Sequence, residues 1–216
     1  MTTLASLYPT YKASNYKAMC DALGNSVSAF AHIIQRYGYP KLVTRKLNYS
    51  SLVHIILEQQ VSLASALAAY NKLLLTLGSI TPTTILQATD ATLKQCYCSR
   101  QKITYIKALA HAILSKQLIL SQLPYDADAV VIHKLTHIKG IGSWTASIVL
   151  LICLQRCNIF PIGDIALVQS MKHELGLPKH TTKEALITIA TEWQPYHSMA
   201  TLLLWHAYLC RKKPIQ

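Results

Sequence analysis

Apolar residues recur at three- and four-residue intervals along most of the chain, the spacing that keeps one stripe of an α-helix against a core. Strict alternation, the mark of a half-buried strand, is nearly absent. The pattern predicts an all-α chain. Asn25 or Ser26 is expected to cap a helix that runs to about Tyr37 and stops at Gly38. A second, capped by Ser50, carries Leu52, Val53, Ile56 and Leu57. After Gln59-Gln60-Val61 a third presents Leu63, Leu67, Tyr70, Leu74 and Leu77 before Gly78. Pro82 opens a fourth, since the first helical residue needs no N–H. Ser99 starts a fifth, with Ile103, Ile106, Ala110, Ile113 and Leu114 on one stripe.

The second half continues in the same period. Asp126 or Asp128 is expected to cap a helix to about Leu135, and Ser143 one to about Arg156, with the short turn Lys139-Gly140-Ile141-Gly142 between them. Asp164 opens another helix after Pro161 and Gly163. Thr181-Thr182-Lys183-Glu184 reads as a capping box for a helix to about Trp193, and Pro195 begins the last, ending near Cys210. No repeat, low-complexity segment or Pro/Ser-rich linker interrupts the pattern, so residues 1–216 read as one domain.

Composition narrows the classes. The chain is 51% apolar and 14% charged, which excludes a disordered protein. A formal charge of +12 on 216 residues favours a polyanionic partner over an inert basic surface. The basic residues are scattered rather than gathered on one amphipathic helix, which disfavours a membrane-surface role. The longest apolar run, Ala146 to Leu154, contains Ser147 and ends at Gln155-Arg156, well short of the roughly 18 to 20 residues that a span requires. Met-Thr-Thr-Leu-Ala-Ser has no signal-peptide pattern, so a cytoplasmic protein is expected, at the nucleoid in a bacterium or nuclear in a eukaryote. The six cysteines are then reduced thiols, and neither Cys96/Cys98 nor Cys153/Cys157 has a second pair at metal-ligand spacing. Core filling is the expected role for most of them.

Two places carry candidate chemistry. In Leu135-Thr136-His137-Ile138-Lys139-Gly140-Ile141-Gly142-Ser143-Trp144-Thr145-Ala146, two of the seven glycines stand one residue apart between apolar helices. Glycine there permits positive φ and close approach of another molecule. The first N–H groups of the following helix point outward, where phosphate oxygens bind, although an ordinary tight turn has the same spacing. The backbone carbonyls of Thr136, Ile138 and Ile141 are candidates for a Na+ or K+ ion bridging the turn to a phosphate. The second place is Asp164, which by itself reads first as a helix N-cap, a role compatible with a carboxylate held ionised by helix N–H groups.

These segments bear a family resemblance. Leu-x-x-Ile-x-Gly-Ile-Gly-x-Trp-Thr-Ala, within a motif at about 128–156, resembles the helix–hairpin–helix of the DNA glycosylase superfamily, and Trp144 is similar to the 3-methyladenine DNA glycosylase II branch that repairs alkylation damage. Ile56-Leu57-Glu58-Gln59-Gln60-Val61-Ser62 resembles the family's segment that inserts into the base stack. Arg100 to Ala110 resembles its basic helix, with Arg100, Lys102 and Lys107 as candidate phosphate contacts. Pro161-Ile162-Gly163-Asp164 resembles the loop bearing its catalytic aspartate, and Trp193-Gln194-Pro195-Tyr196-His197-Ser198 with Trp205 its pocket helix. The likeness runs from about Ile33 to about Leu209. No counterpart of the TATA-binding-protein-like N-terminal domain of longer members is seen.

The resemblance implies a two-lobed helical fold with the active site in the cleft between lobes. It implies a monomer that acts on double-stranded DNA containing damaged bases. Asp164 would stabilise the cationic sugar and orient the attacking water. Trp144, Tyr196 and Trp205 would line the base pocket, and Gln60, or else Gln59, would plug the gap. Lys139, Gly140, Ile141, Gly142, Ser143 and Thr145 would hold the DNA backbone. Bifunctional relatives carry a nucleophilic lysine two residues after the second hairpin glycine; here that position is Trp144, which implies hydrolysis without strand cleavage. Only Cys210 follows Asp164, so no iron–sulfur cluster is expected. His206 and Ile148 depart from pocket positions of many relatives, which leaves lesion breadth open. Two rivals stand beside this reading: a glycosylase for other damaged or mismatched bases, and a non-catalytic helix–hairpin–helix DNA-binding protein.

Overall fold

The computed structural model describes residues 8–212, so Met1–Ser6 lie outside the described residues. It contains helices α1 (Tyr16–Ser26), α2 (Ser28–Tyr37), α3 (Tyr49–Glu58), α4 (Leu63–Leu77), α5 (Pro82–Gln87), α6 (Asp90–Gln95) and α7 (Arg100–Leu114). These are followed by α8 (Asp128–Thr136), α9 (Ser143–Ile148), α10 (Ile165–Glu174), α11 (Lys183–Ala190) and α12 (His197–Lys212). The only β pairing among the described residues is one bridge, Thr10 to Arg156. The chain is all-α, as its apolar period predicts, and no described helix is long and apolar enough to cross a membrane.

Backbone contacts divide the molecule into two compact units, one formed by the chain up to Thr44 and from Gln155 onward, the other by Arg45–Leu154. In the first unit α12 packs on α10, α2 and α1. Phe30 and Phe160 meet the Trp193 ring edge-on, at centroid distances of 4.9 and 5.6 Å. In the second unit α3 packs on α4, α7 and α9, and α8 on α9. Leu52, Val53, Ile55, Ile56 and Leu57 are all buried, so α3 is the hydrophobic centre of that unit. Tyr49, at the start of α3, donates its hydroxyl to the Ile106 carbonyl at 2.8 Å, which satisfies a buried phenol.

Several element boundaries differ from the sequence pattern, each for a local reason. Asn25 and Ser26 end α1 instead of capping α2. The break falls at extended Val27, which begins α2 without a side-chain cap. Asn48, not Ser50, caps α3, accepting the Ser51 N–H at 2.9 Å. Neither aspartate caps α8: Ala127 holds that position, Asp128 is its first residue, and Asp126 accepts from Lys134 Nζ at 2.7 Å. Thr182 caps α11, while the reciprocal capping box forms at Thr81/Thr84. Gly142 precedes α9, which ends at Ile148 and widens into a π-helical turn at Val149–Cys153. The last helix begins at His197 rather than Pro195. Cys20, Cys96, Cys98 and Cys157 are buried in the core and form no disulfide, and burial pushes the Cys20 and Cys98 thiols up to about 12.

Candidate functional site

In the first unit the centre is Asp164. It is the N-cap of α10: its Oδ1 accepts the Leu167 N–H at 2.8 Å. The same oxygen accepts the indole N–H of Trp205, on α12, at 3.0 Å. The carboxylate is half-buried, between a helix N-terminus and an aromatic ring. The N-cap reading of Asp164 holds, and a capping carboxylate at a helix start can also face a ligand. Tyr196 is half-buried just before α12. It stands nine positions before Trp205, which lies within α12. His206, the next residue, donates Nε2–H to the Tyr37 carbonyl at 2.9 Å and is committed to packing against α2.

In the second unit the hairpin joins α8 to α9. Gly140 has φ +92°, and a Cβ there would fall within the Tyr105 ring on α7, so both the backbone and the space demand glycine. Gly142 is different: its φ of −90° with ψ 178° is extended backbone open to any residue, and a Cβ would meet nothing within 4 Å. Lys139, Gly142 and Ser143 are exposed, while Ile138, Ile141 and Thr145 are buried beneath them. Apolar anchors therefore fix the turn from below and leave its polar backbone outward. Trp144 is half-buried in the first turn of α9. The Ile138 carbonyl accepts the Ile141 N–H at 3.0 Å and keeps a second lone pair. Thr136 ends α8, at the negative end of the helix dipole. Carbonyl oxygens in that setting fit a hard monovalent cation.

The two glutamines part company. Gln59 donates Nε2–H bonds to the Gly140 carbonyl and to Thr145 Oγ1, each at 2.9 Å. Gln60 is exposed at the tip of the loop, in the left-handed region with φ +57°. Of the basic candidates on α7, Lys107 pairs with Asp90 at 2.6 Å, and Lys102 donates to the Leu57 carbonyl at 2.6 Å. Burial lowers the Lys102 ammonium from its ordinary value. Arg100 is exposed. Arg45, unremarked in the sequence, makes a two-bond ion pair with Glu58, at 2.5 and 3.1 Å. Its thirteen-residue separation from Glu58 carries no local signal.

The family model for the HhH-GPD superfamily base excision DNA repair protein matches residues 53–195, a span holding the insertion segment, the hairpin and Asp164. The chain belongs to the HhH-GPD superfamily. Within it, the chain is similar to protein YfjP of Bacillus subtilis, 30% identical over 190 residues that cover 84% of this chain and 66% of that one. It is also similar to DNA-3-methyladenine glycosylase 1 of Schizosaccharomyces pombe, 25% identical over 94% of this chain and 86% of that one. The crystal structure of DNA-3-methyladenine glycosidase from Bacillus halodurans superposes with a TM-score of 0.75 and 30% identity, over 90% of this chain and 91% of the other. The chain thus spans just under two thirds of YfjP. As an HhH-GPD protein, it carries its hairpin and its carboxylate in different compact units, each built by its own packing.

Proposed function

We propose that the protein is a monofunctional DNA glycosylase that removes alkylated bases of the 3-methyladenine and 7-methylguanine type from duplex DNA. The observation that carries this reading is Asp164, fixed by the Leu167 and Trp205 N–H donors in a half-buried setting. Breaking the N-glycosidic bond sends its electron pair out with the base and leaves positive charge on the deoxyribose. A prepositioned carboxylate stabilises that charge without reorganising. It also orients a water whose oxygen bonds to the sugar carbon, and it takes up the proton released. Alkylation at a ring nitrogen makes the base cationic and weakens the bond. The face of Trp205 beside Asp164 attracts such a base by cation–π stacking, worth about 0.5 to 2 kcal/mol.

The scissile bond is inaccessible in a stacked duplex, so the nucleotide must turn out of the helix. Gln60, at the exposed loop tip, supplies the plug. Lys139, the Gly140–Ser143 backbone and the first N–H groups of α9 hold strand phosphates. The carbonyls of Thr136, Ile138 and Ile141 would hold a Na+ or K+ ion, which would lend positive charge to the phosphate contact. Trp144 offers no amine to the sugar, which supports hydrolysis without strand cleavage. The relatives named as 3-methyladenine glycosylases support the substrate class.

The test is to incubate the protein with methylated DNA and identify the free bases released, alongside oxidised and mismatched duplexes and an Asp164→Asn control. Release of 3-methyladenine and 7-methylguanine well above the control is expected. Preferential release from oxidised or mismatched DNA would reassign the substrate. Binding to abasic DNA with no release above the control would make the protein a binding module.

A further inference from the structure

The segment around the loop tip is fastened at three consecutive residues. The Leu57 carbonyl accepts from Lys102 Nζ at 2.6 Å. The Glu58 carboxylate is gripped by the two terminal nitrogens of Arg45, with side-chain exposures of 10% and 19%. The Gln59 amide reaches the Gly140 carbonyl and the Thr145 hydroxyl, more than eighty residues away. Gln60 then leaves in a left-handed conformation that non-glycine residues rarely adopt. Gly140 is itself pinned, since the Tyr105 ring lies where its Cβ would stand, and Tyr105 shares α7 with Lys102. The bond from Gln59 ends on the residue that the hairpin turns on.

We propose that Gln59 is a positioning residue that joins the insertion loop to the hairpin, so that gripping the strand and displacing the base act as one rigid movement. Both Gln59 acceptors lie in the hairpin and its first helical turn; Thr145 is 3% exposed, while Gln59 and Gly140 are half-buried, so the bond to the Thr145 hydroxyl is the better shielded of the two. The Thr145 bond transmits position because breaking it leaves a buried hydroxyl without its Gln59 partner. With the tie in place, a hairpin seated on phosphates sets where Gln60 stands. Without it, binding and base displacement become separate events. Gln59 touches neither the sugar nor the base in this scheme; Gln60 does. The inference rests on the glycosylase reading for its DNA ligand.

The test compares Gln59→Leu, Gln60→Ala and the double variant on a duplex carrying a methylated base beside 2-aminopurine, whose fluorescence rises on unstacking. Duplex affinity and its salt slope are measured together with single-turnover base release at saturating protein. For Gln59→Leu the expected result is unchanged affinity and salt slope, loss of the fluorescence rise, and release slowed by about 10- to 100-fold, the scale of a positioning error near one ångström. The double variant should be no slower than the worse single. Thr145→Val, which removes one acceptor at constant shape, should give a smaller change in the same direction and guards against a folding defect in Gln59→Leu. Wild-type fluorescence and release in Gln59→Leu, or losses that multiply in the double variant, would overturn the coupling. If wild-type protein unstacks the reporter but releases no base, the glycosylase reading fails while the fluorescence arms still decide the coupling. Wild-type binding without any fluorescence rise overturns the coupling itself.

Discussion

Asp164 and the hairpin are built by opposite strategies. Asp164 caps a helix start through a bond from a residue three positions on, and it also accepts the indole N–H of Trp205, 41 residues along the chain. The hairpin and insertion loop depend on partners 81 and 86 residues apart, and on a tyrosine ring that fills the space a side chain at Gly140 would need. Under the proposed function the contrast suits the tasks: a carboxylate needs fixed donors and an open side, whereas a backbone grip and a plug would have to keep their spacing on the duplex. Long-range construction fails when any one partner is lost.

The sharpest way to isolate the chemical half of this contrast is Asp164→Asn. Asparagine retains an acceptor for Leu167 and Trp205 and remains a good cap, so the melting temperature and duplex affinity should stay near wild type. Base release should fall by about 100- to 10,000-fold, the usual scale for losing charge stabilisation together with general-base assistance. Loss of DNA affinity with normal turnover would reverse the assignment.

The structural half is tested next by two glycines that look equivalent in sequence. Gly140→Ala places a methyl group in the Tyr105 ring at φ +92°, and a destabilisation of about 2 to 4 kcal/mol is expected, read by denaturant unfolding. Gly142→Ala meets open space on extended backbone and should leave stability unchanged within about 0.5 kcal/mol. Its effect should appear in the salt slope of DNA binding, if phosphates approach that backbone. Equal costs at the two sites would show that the turn is not pinned by Tyr105.

A smaller effect joins the two strategies. Trp205→Phe keeps an aromatic face and removes the indole N–H from Asp164. A hydrogen bond to a charged group contributes about 1.5 to 3 kcal/mol, so release should slow by about 10- to 100-fold. Unchanged release would leave Trp205 only as packing or a base contact.

The smallest effect concerns acid. His54 stacks on Tyr70 at a centroid distance of 4.3 Å and lies 3.7 Å from Glu58, beside the fastened loop. Burial and the nearby Arg45 charge lower its pKa below 6.5, with Glu58 opposing. The folded protein therefore binds the proton less readily than the unfolded chain, so this contribution is complete above the ordinary histidine value and is lost as pH falls through it. His197, also lowered by burial, adds a term of the same sign in the other unit. The melting temperature should drop between pH 7.5 and 5.5, and His54→Phe, which preserves the stack, should flatten part of that drop. An identical pH profile in the variant would remove His54 as a cause.

What the sequence determined by itself is what acts over three or four residues. The apolar period established an all-α chain, Ser99 stands at a helix start where its hydroxyl caps, and Asp164 reads as a cap because capping is an i to i+3 bond. The insertion, hairpin and aspartate segments, in that order along the chain, carry the resemblance to the superfamily in the sequence alone. Where several polar residues could serve as a cap, as at Asn48 and Ser50 or around Ala127, the period could not choose, because packing decides which turn comes first. Only the tertiary structure separated Gln59 from Gln60 and Gly140 from Gly142, and only it paired Arg45 with Glu58 and Trp205 with Asp164. Each of those distinctions depends on an atom contributed from far along the chain, and chain neighbours carry no record of which distant atom will arrive.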